Sequence, residues 1–243
     1  EFARRHGFRG GLVPGVTVYA YLTHPLVEAF GPAWLERGTA SVRFLRPVLE
    51  GEEVTITGSV TARDPRGVTA TLSASTPATV DCAVLTATIP AGTPTPVNGA
   101  LYRTAPLPAE RPPVSREHWA SLEALGTPEA LYDDARATAY LETVADTQPL
   151  YRGASGFVHP AFFLDQANRA VDRNVRLGPW IHTGSAVRHL SAARIGETLA
   201  TRGRVRSLYE KKGREYIEVD LLIVAGERAR AVSHSFHTAI YTM

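Results

Sequence analysis

The sequence predicts an α+β fold made of two tandem repeats, each a long central helix wrapped by a curved antiparallel sheet. Three observations predict it: one stretch recurs at a constant spacing, an apolar helix-like segment opens each copy, and strand-like segments follow each helix. A chain of 243 residues, 44% of them hydrophobic, is long enough to build two such units.

The repeat appears when residues 41–60, SVRFLRPVLEGEEVTITGSV, are set over residues 186–205, AVRHLSAARIGETLATRGRV. Val42 then falls on Val187, an offset of 145 residues, and no gap is needed. The same offset carries GLVPGV onto GFVHPA, ahead of the two helix-like segments. A register shared by two separate blocks indicates a duplicated unit.

The elements follow the same order in each copy. The first copy has the helix PGVTVYAYLTHPLVEAFG and then TASVRFLRPV and GEEVTITGSV, which carry the β-branched or alternating residues of strands. The second has the helix HPAFFLDQANRAVDRNV, and its strands are ETLATRGRVRSLYEK, REYIEVDLLIVAG and RARAVSHSFHTAIYT. The segment between the copies is rich in Pro and Gly. We predict an N-terminal repeat over residues 1–90, a linker over 91–117 and a C-terminal repeat over 118–243, with a helix through 119–125.

Composition excludes several classes of protein. The net charge of +2 gives no field suited to nucleic acid or an anionic membrane surface, and no apolar run approaches the ~20 residues of a membrane span. Cys82 is the only cysteine, which excludes a disulfide framework and a cysteine-cluster metal site. The histidines lack metal-ligand spacing, and no segment has the pattern of a dinucleotide or phosphate loop. We therefore predict no metal and no cofactor, no nucleic-acid or membrane partner, and a cytoplasmic protein.

The segments ARRHGFRGGLVPGV, RFLRPVLEGEEVTI and GPWIHTGSAVRHLSAARIGETL resemble double hotdog proteins of the MaoC-like dehydratase and (R)-specific enoyl-CoA hydratase group. The resemblance implies a double hotdog fold and an acyl-thioester lyase, which hydrates an enoyl thioester or dehydrates a 3-hydroxyacyl thioester. It implies acyl-CoA or an acyl carrier protein thioester as substrate, and it allows a homodimer of double hotdogs. A hotdog thioesterase and a non-catalytic acyl-binding protein remain the alternatives.

Hydration chemistry places demands on the start of the first helix. Charge that develops on the thioester oxygen needs donors, and a helix amino end offers free N–H groups and the positive end of its dipole. Gly15, in VPGV, stands where such a donor is required, and we predict that Gly15 and Gly11 approach the substrate. In the hydratase pattern an Asp and a His precede xFAxxxGF. That segment would lie ahead of Glu1, where we expect further residues.

Polyketide-type dehydratase domains, which are also double hotdogs, suggest a second set of catalytic residues. HGFRGGLVPG supplies His6, and HPAFFLD supplies His159 and Asp165, each motif differing by one residue from that pattern. An imidazole of one half would then face a carboxylate of the other. His6 is equally typical of a last helical turn, and His159 of a helix cap.

Two side chains of the second helix, Asp165 and Asn168, each allow two interpretations. Asp165 is either an acid–base group held in an apolar helix or one member of a surface ion-paired stripe with Arg169, Asp172 and Arg176. Asn168 lies one turn from Asp165 and is either a substrate-binding amide or a satisfied structural one. In the first helix, Tyr19 and Tyr21 point in opposite directions, and we predict Tyr19 as a substrate contact.

Overall fold

The computed structural model describes residues 11–242. Each half of this range contains one long helix. In the first half, a long and a short helix precede four strands. In the second, three helices and a short strand precede four longer strands. The helices are α1 (Gly15–Phe30), α2 (Pro32–Arg37), α3 (Arg116–Ser121), α4 (Asp134–Val144) and α5 (Pro160–Asn174). The strands are β1 (Thr39–Phe44), β2 (Thr55–Asp64), β3 (Gly67–Thr76), β4 (Thr79–Pro90), β5 (Glu129–Leu131), β6 (Ile181–His189), β7 (Thr198–Lys211), β8 (Arg214–Ala225) and β9 (Arg230–Ile240).

All nine strands form one antiparallel sheet in the order β2-β3-β4-β1-β6-β9-β8-β7-β5. The halves join where β1 pairs with β6, and Ser41 lies opposite Ala186, its counterpart in the sequence repeat. Half a turn about this pair exchanges the two strands. Helices α1 and α5, one from each half, pack against each other.

The helices differ in how they bury their side chains. Residues on every side of α1 between Val16 and Val27 are buried, which is typical of a helix enclosed by a sheet and other helices. The helix continues through Pro25 and ends at Gly31, whose φ of +54° suits a residue without a Cβ. Helix α5 is amphipathic, with Ala167 and Val171 among its buried residues.

The ion-paired stripe suggested for α5 does not form as such. Asp172 pairs with Arg111 of the linker, at 2.9 Å, instead of with a residue on its own helix. Arg176 lies beyond the end of α5. Arg111 of the linker is therefore the charge partner of Asp172, whereas helical spacing alone assigned that role to Arg169 or Arg176.

The linker is part of the packed structure. Tyr102 is buried against Leu222 and Val224 on the face of the sheet opposite the helices. Helix α3 ends at Ser121 instead of continuing to residue 125, because Leu125 donates its N–H to Gly203 O of β7. Within residues 11–242, no helix combines the length and hydrophobicity required to cross a bilayer.

Candidate functional site

The amino end of α1 is uncapped. Pro14 precedes the helix and supplies no side-chain acceptor, while its carbonyl accepts the N–H groups of Thr17 and Val18. The first N–H groups of a helix have no acceptor within it, so those of Gly15 and Val16 point out of the end of α1. This end therefore has donors for an anionic or carbonyl oxygen.

The side of Gly15 that lacks a side chain faces protein atoms. A Cβ added there would lie 3.1 Å from Nδ1 of His182 and 3.2 Å from the Phe44 ring. Glycine is thus needed so that an imidazole and a phenyl ring can reach the start of the helix. The sequence predicts that the missing side chain admits the thioester, whereas the structure fills that direction with His182 and Phe44.

His182 belongs to a buried chain of three polar side chains. Its Nε2 lies 2.8 Å from Ser185 Oγ, which lies 3.0 Å from Nδ1 of His237. The two imidazoles stack with centroids 4.1 Å apart. Burial, followed by the neighbouring His237, keeps the pKa of His182 well below its usual range, and burial lowers the pKa of His237 to about 3. Both rings are neutral near pH 7.

The packing around Gly11 accounts for that glycine. Its carbonyl accepts the N–H of Glu50 at 2.9 Å, and Leu12 pairs with Leu49. A Cβ on Gly11 would overlap the Glu50 carboxylate. The predicted substrate contact at Gly11 gains no support from these neighbours, because they explain the glycine by the turn that it packs against.

The amino end of α5, by contrast, is capped and closed. His159 is fully buried, and its Nδ1 accepts the N–H of Ala161 at 3.1 Å. Its Nε2 lies 3.1 Å from Oδ2 of Asp146, whose Oδ1 lies 3.1 Å from Nδ1 of His24 on α1. Both ring nitrogens of His159 are occupied, so the imidazole has no free lone pair with which to take a proton. These contacts favour the capping role and disagree with the predicted catalytic one.

Asp146 is held as a carboxylate. Burial acts to raise its pKa, but hydrogen bonds from His159, from the Gln148 N–H and from His24 outweigh it and lower the pKa to about 2. Burial also lowers the pKa of His159, against the opposing effect of Asp146. The pair therefore consists of an ionised carboxylate and a neutral imidazole near pH 7.

Aromatic side chains seal this end. The rings of Tyr140 and Tyr151 lie 5.5 and 4.6 Å from that of His159, and Tyr132 packs on Phe162. Tyr19 has no exposed surface, and burial raises the pKa of its hydroxyl. Its surroundings are those of a core residue, and they give no support to the predicted substrate contact.

Asp165 and Asn168 lie on the partly exposed side of α5. Burial raises the pKa of the Asp165 carboxyl, against the effects of Arg169 and of a hydrogen bond from Gln166. Asn168 Oδ1 is buried and has no hydrogen-bond partner within residues 11–242. His24 on α1 marks the level of the amino end of α5. There, Asp146 joins His24 to His159.

The structure thus separates the predicted residues. Asp165 and Asn168 lie on the partly exposed side of α5, while His159 belongs to its closed amino end. The predicted catalytic residue His6 lies outside the described residues. Sequence reasoning missed Asp146, His24, His182, Ser185 and His237. From the sequence, the histidines other than His6 and His159 were considered only as metal ligands. Within the described range, no group of three His, Cys, Asp or Glu side chains is arranged to hold a metal ion.

The fold is similar to that of solved hotdog structures. A MaoC-domain dehydratase described as putative, from Chloroflexus aurantiacus, superposes with a TM-score of 0.66 at 12% identity, covering 99% of this chain and 85% of that one. A conserved hypothetical protein of Mycobacterium tuberculosis with a double hotdog fold gives 0.64 at 14%, covering 96% and 83%. A thioesterase described as putative, from Novosphingobium aromaticivorans, gives 0.59 at 14%, covering 96% and 88%.

These identities establish the fold alone. The α+β hotdog fold expected from the sequence is confirmed, as is the resemblance to MaoC-like dehydratase structures. No protein-family model matches the sequence, and no curated protein matches it either.

Proposed function

We propose that the protein is an acyl-thioester lyase, which hydrates an enoyl thioester or dehydrates a 3-hydroxyacyl thioester at the amino end of α1. The substrate is carried on coenzyme A or on an acyl carrier protein. Several solved structures of the same fold are described as MaoC-like dehydratases, in agreement with this reaction class.

The observation that carries the proposal is the difference between the two helix ends. The end of α5 is capped by His159 and closed by tyrosines. The end of α1 has no cap and lies beside the buried, unpartnered Nδ1 of His182. A duplicated protein needs one working site, and α1 keeps the donors that such a site requires.

The reaction follows from these groups. In hydration, the water oxygen bonds to C3, the π electrons of the double bond shift toward the thioester, and C2 takes up a proton. The N–H groups of Gly15 and Val16 stabilise the charge on the thioester oxygen. We propose Asp165 for the proton work, with His6 as its imidazole partner and Asn168 to orient water. Water gives up one proton and C2 receives one, so the acid–base groups end as they began.

We further propose that the protein is a duplicated unit with the boundaries 1–90, 91–117 and 118–243. The pairing of Ser41 with Ala186, 145 residues apart, supports this, as do the end of β4 at Pro90 and the start of α3 at Arg116. Each copy then contains one long helix followed by four strands, and the short strand β5 precedes the long helix of the second copy.

A thioesterase is the second candidate. The buried side-chain oxygen of Asn168 has no hydrogen-bond partner within residues 11–242, and an amide can orient water without taking its proton. Solved structures of this fold include proteins described as thioesterases, though as putative ones. In that case saturated acyl thioesters would be cleaved, and enoyl thioesters would have no advantage.

The test follows the loss of enoyl absorbance with crotonyl-CoA and a medium-chain enoyl-CoA, alongside thiol release from butyryl-CoA. The wild type should hydrate an enoyl-CoA. Asp165→Asn should lower kcat/KM by about 100-fold. Asp172→Asn, on the same helix and paired with Arg111, is the matched control and should be unchanged. Thiol release without hydration would identify a thioesterase, and binding of these thioesters without turnover would identify an acyl-binding protein.

A further inference from the structure

The buried chain His182–Ser185–His237 has a free nitrogen at each end. Nδ1 of His182 and Nε2 of His237 are buried and have no hydrogen-bond partner within residues 11–242. His182 and His237 are 8% and 0% exposed. A buried imidazole nitrogen without a partner is costly, so each needs an explanation.

His182 points its free nitrogen toward the start of α1. Nδ1 is the atom nearest to the position that a Cβ on Gly15 would take, at 3.1 Å. The ring is held on its other side by Ser185, and it packs against Phe44 with centroids 4.6 Å apart. The imidazole therefore lies directly against the start of α1.

The hydrogen atoms in the chain His182–Ser185–His237 can be arranged in two ways. A hydroxyl has one hydrogen, so Ser185 donates to one imidazole and accepts from the other. If His237 donates to Ser185, then Ser185 donates to Nε2 of His182, and the hydrogen of the neutral His182 ring is on Nδ1. In the opposite arrangement, Nδ1 of His182 carries a lone pair.

We propose that His182 is a catalytic residue whose Nδ1–H donates a hydrogen bond to the thioester oxygen of the substrate, beside the N–H groups at the start of α1. Ser185 and His237 are positioning residues that hold the His182 ring and stabilise this tautomer when substrate is bound. The inference rests on the proposed function and adds a side-chain donor to the backbone donors of that site.

The chemistry suits a neutral imidazole. Both rings are kept neutral by burial, and a neutral imidazole can polarise a carbonyl without transferring its proton. In the free protein, the positive end of α1 favours the lone pair at Nδ1. A bound carbonyl oxygen favours the hydrogen there. Binding should therefore change the tautomer of His182.

The kinetic test compares matched changes on one strand. His182→Leu should lower kcat for crotonyl-CoA hydration by about 100-fold with a smaller change in KM, as for loss of one oxyanion donor. His189→Leu is the control. His189 is also buried on β6, but it packs on Trp34 and Phe163 and is not part of the hydrogen-bonded chain from His182 to His237. If His182→Leu does not fold, His182→Asn, whose amide nitrogen can replace Nδ1, should keep part of the activity.

A second readout does not depend on turnover. Histidine ¹⁵N spectra of the full chain are recorded with and without 2-oxopentyl-CoA, the ketone analogue of butyryl-CoA, which can be neither hydrated nor hydrolysed. The Nδ1 signal of His182 should move to the protonated-nitrogen range on binding. In Ser185→Ala the tautomer should no longer be fixed, because Nε2 has lost its partner.

The outcomes separate the two claims. If the wild type hydrates enoyl-CoA and His182→Leu is fully active, the proposed role of His182 is overturned. The proposed function then still stands. If the wild type does not hydrate enoyl-CoA, the proposed function fails. A tautomer change with the ketone analogue would still support His182 as a carbonyl donor, and an unchanged Nδ1 signal would overturn it.

Discussion

The carboxylate of Asp146 and the imidazole of His159 form a buried pair, with Oδ2 of the first 3.1 Å from Nε2 of the second. The other carboxylate oxygen, Oδ1, lies 3.1 Å from His24 of α1. The cluster thus links the cap of one central helix to the middle of the other. It accounts for the closed amino end of α5, where His159 is fully buried.

Asp146→Ala should lower the free energy of unfolding by about 3 kcal/mol, because His159 would be left buried without a partner for its ring N–H. Asp172→Ala removes a partly exposed carboxylate paired with Arg111 and should cost less than about 1 kcal/mol. Urea unfolding of both variants measures the difference. Equal effects of the two changes would contradict a structural role for the Asp146 cluster.

The contribution of Asp146 should depend on pH. Its pKa is lowered from 3.8 to about 2 in the folded protein, so the unfolded chain binds this proton first as the pH falls. The stabilisation is complete above pH 4 and is lost between about pH 4 and pH 2. The stability gap between wild type and Asp146→Ala should narrow through this range. A gap that stays constant from pH 5 to pH 3 would refute the assignment.

His189→Leu should stabilise the protein by about 1 kcal/mol at pH 7, because it removes two buried ring nitrogens that have no partner within residues 11–242. Burial lowers the pKa of His189 to about 4, so below pH 6.5 the unfolded chain gains a proton that the folded one does not. The advantage of Leu should therefore grow from pH 6.5 to pH 4. Thermal unfolding at several pH values tests this, and a destabilised variant at every pH would count against it.

Gly15→Ala should reduce enoyl-CoA hydration by at least about 10-fold, because the added methyl group meets His182 and Phe44 and displaces them from the helix end. Gly99→Ala is the control, since a Cβ there meets no atom within 4 Å. Kinetics of both variants, with unfolding curves to confirm that they fold, measure the effect. Full activity of Gly15→Ala would show that the position of His182 does not matter.

Tyr102→Phe should loosen the linker. The hydroxyl of Tyr102 lies 2.7 Å from Asp220 Oδ1 and 2.9 Å from His234 Nε2, both buried on the outer face of the sheet. Its loss should cost about 1–2 kcal/mol. The exposed Tyr209, stacked on Tyr216, is the control, and Tyr209→Phe should change stability by less than about 0.5 kcal/mol. Faster proteolysis within residues 91–117 of Tyr102→Phe would confirm the local effect.

The pattern of each segment was enough to predict most of the fold. Apolar spacing and strand composition predicted α1 and α5 and the strands β1, β2, β7, β8 and β9, because these features depend on neighbouring residues. The constant offset of 145 residues even matches the pairing of Ser41 with Ala186. The end of α3 was predicted less well, since Leu125 leaves the helix to bond with Gly203, far along the chain.

The candidate site depended on contacts that no local pattern reveals. Asp146 meets His24 across a separation of 122 residues. His182 and Ser185 are three positions apart and would point to opposite faces of a regular strand. The register shift between His182 and Gly184 brings both side chains to the buried face. The sequence by itself determined the two long helices and five of the strands, because these follow from local periodicity. Only the tertiary structure decided which polar groups meet, because a shift of one residue in strand register reverses the face that a side chain occupies.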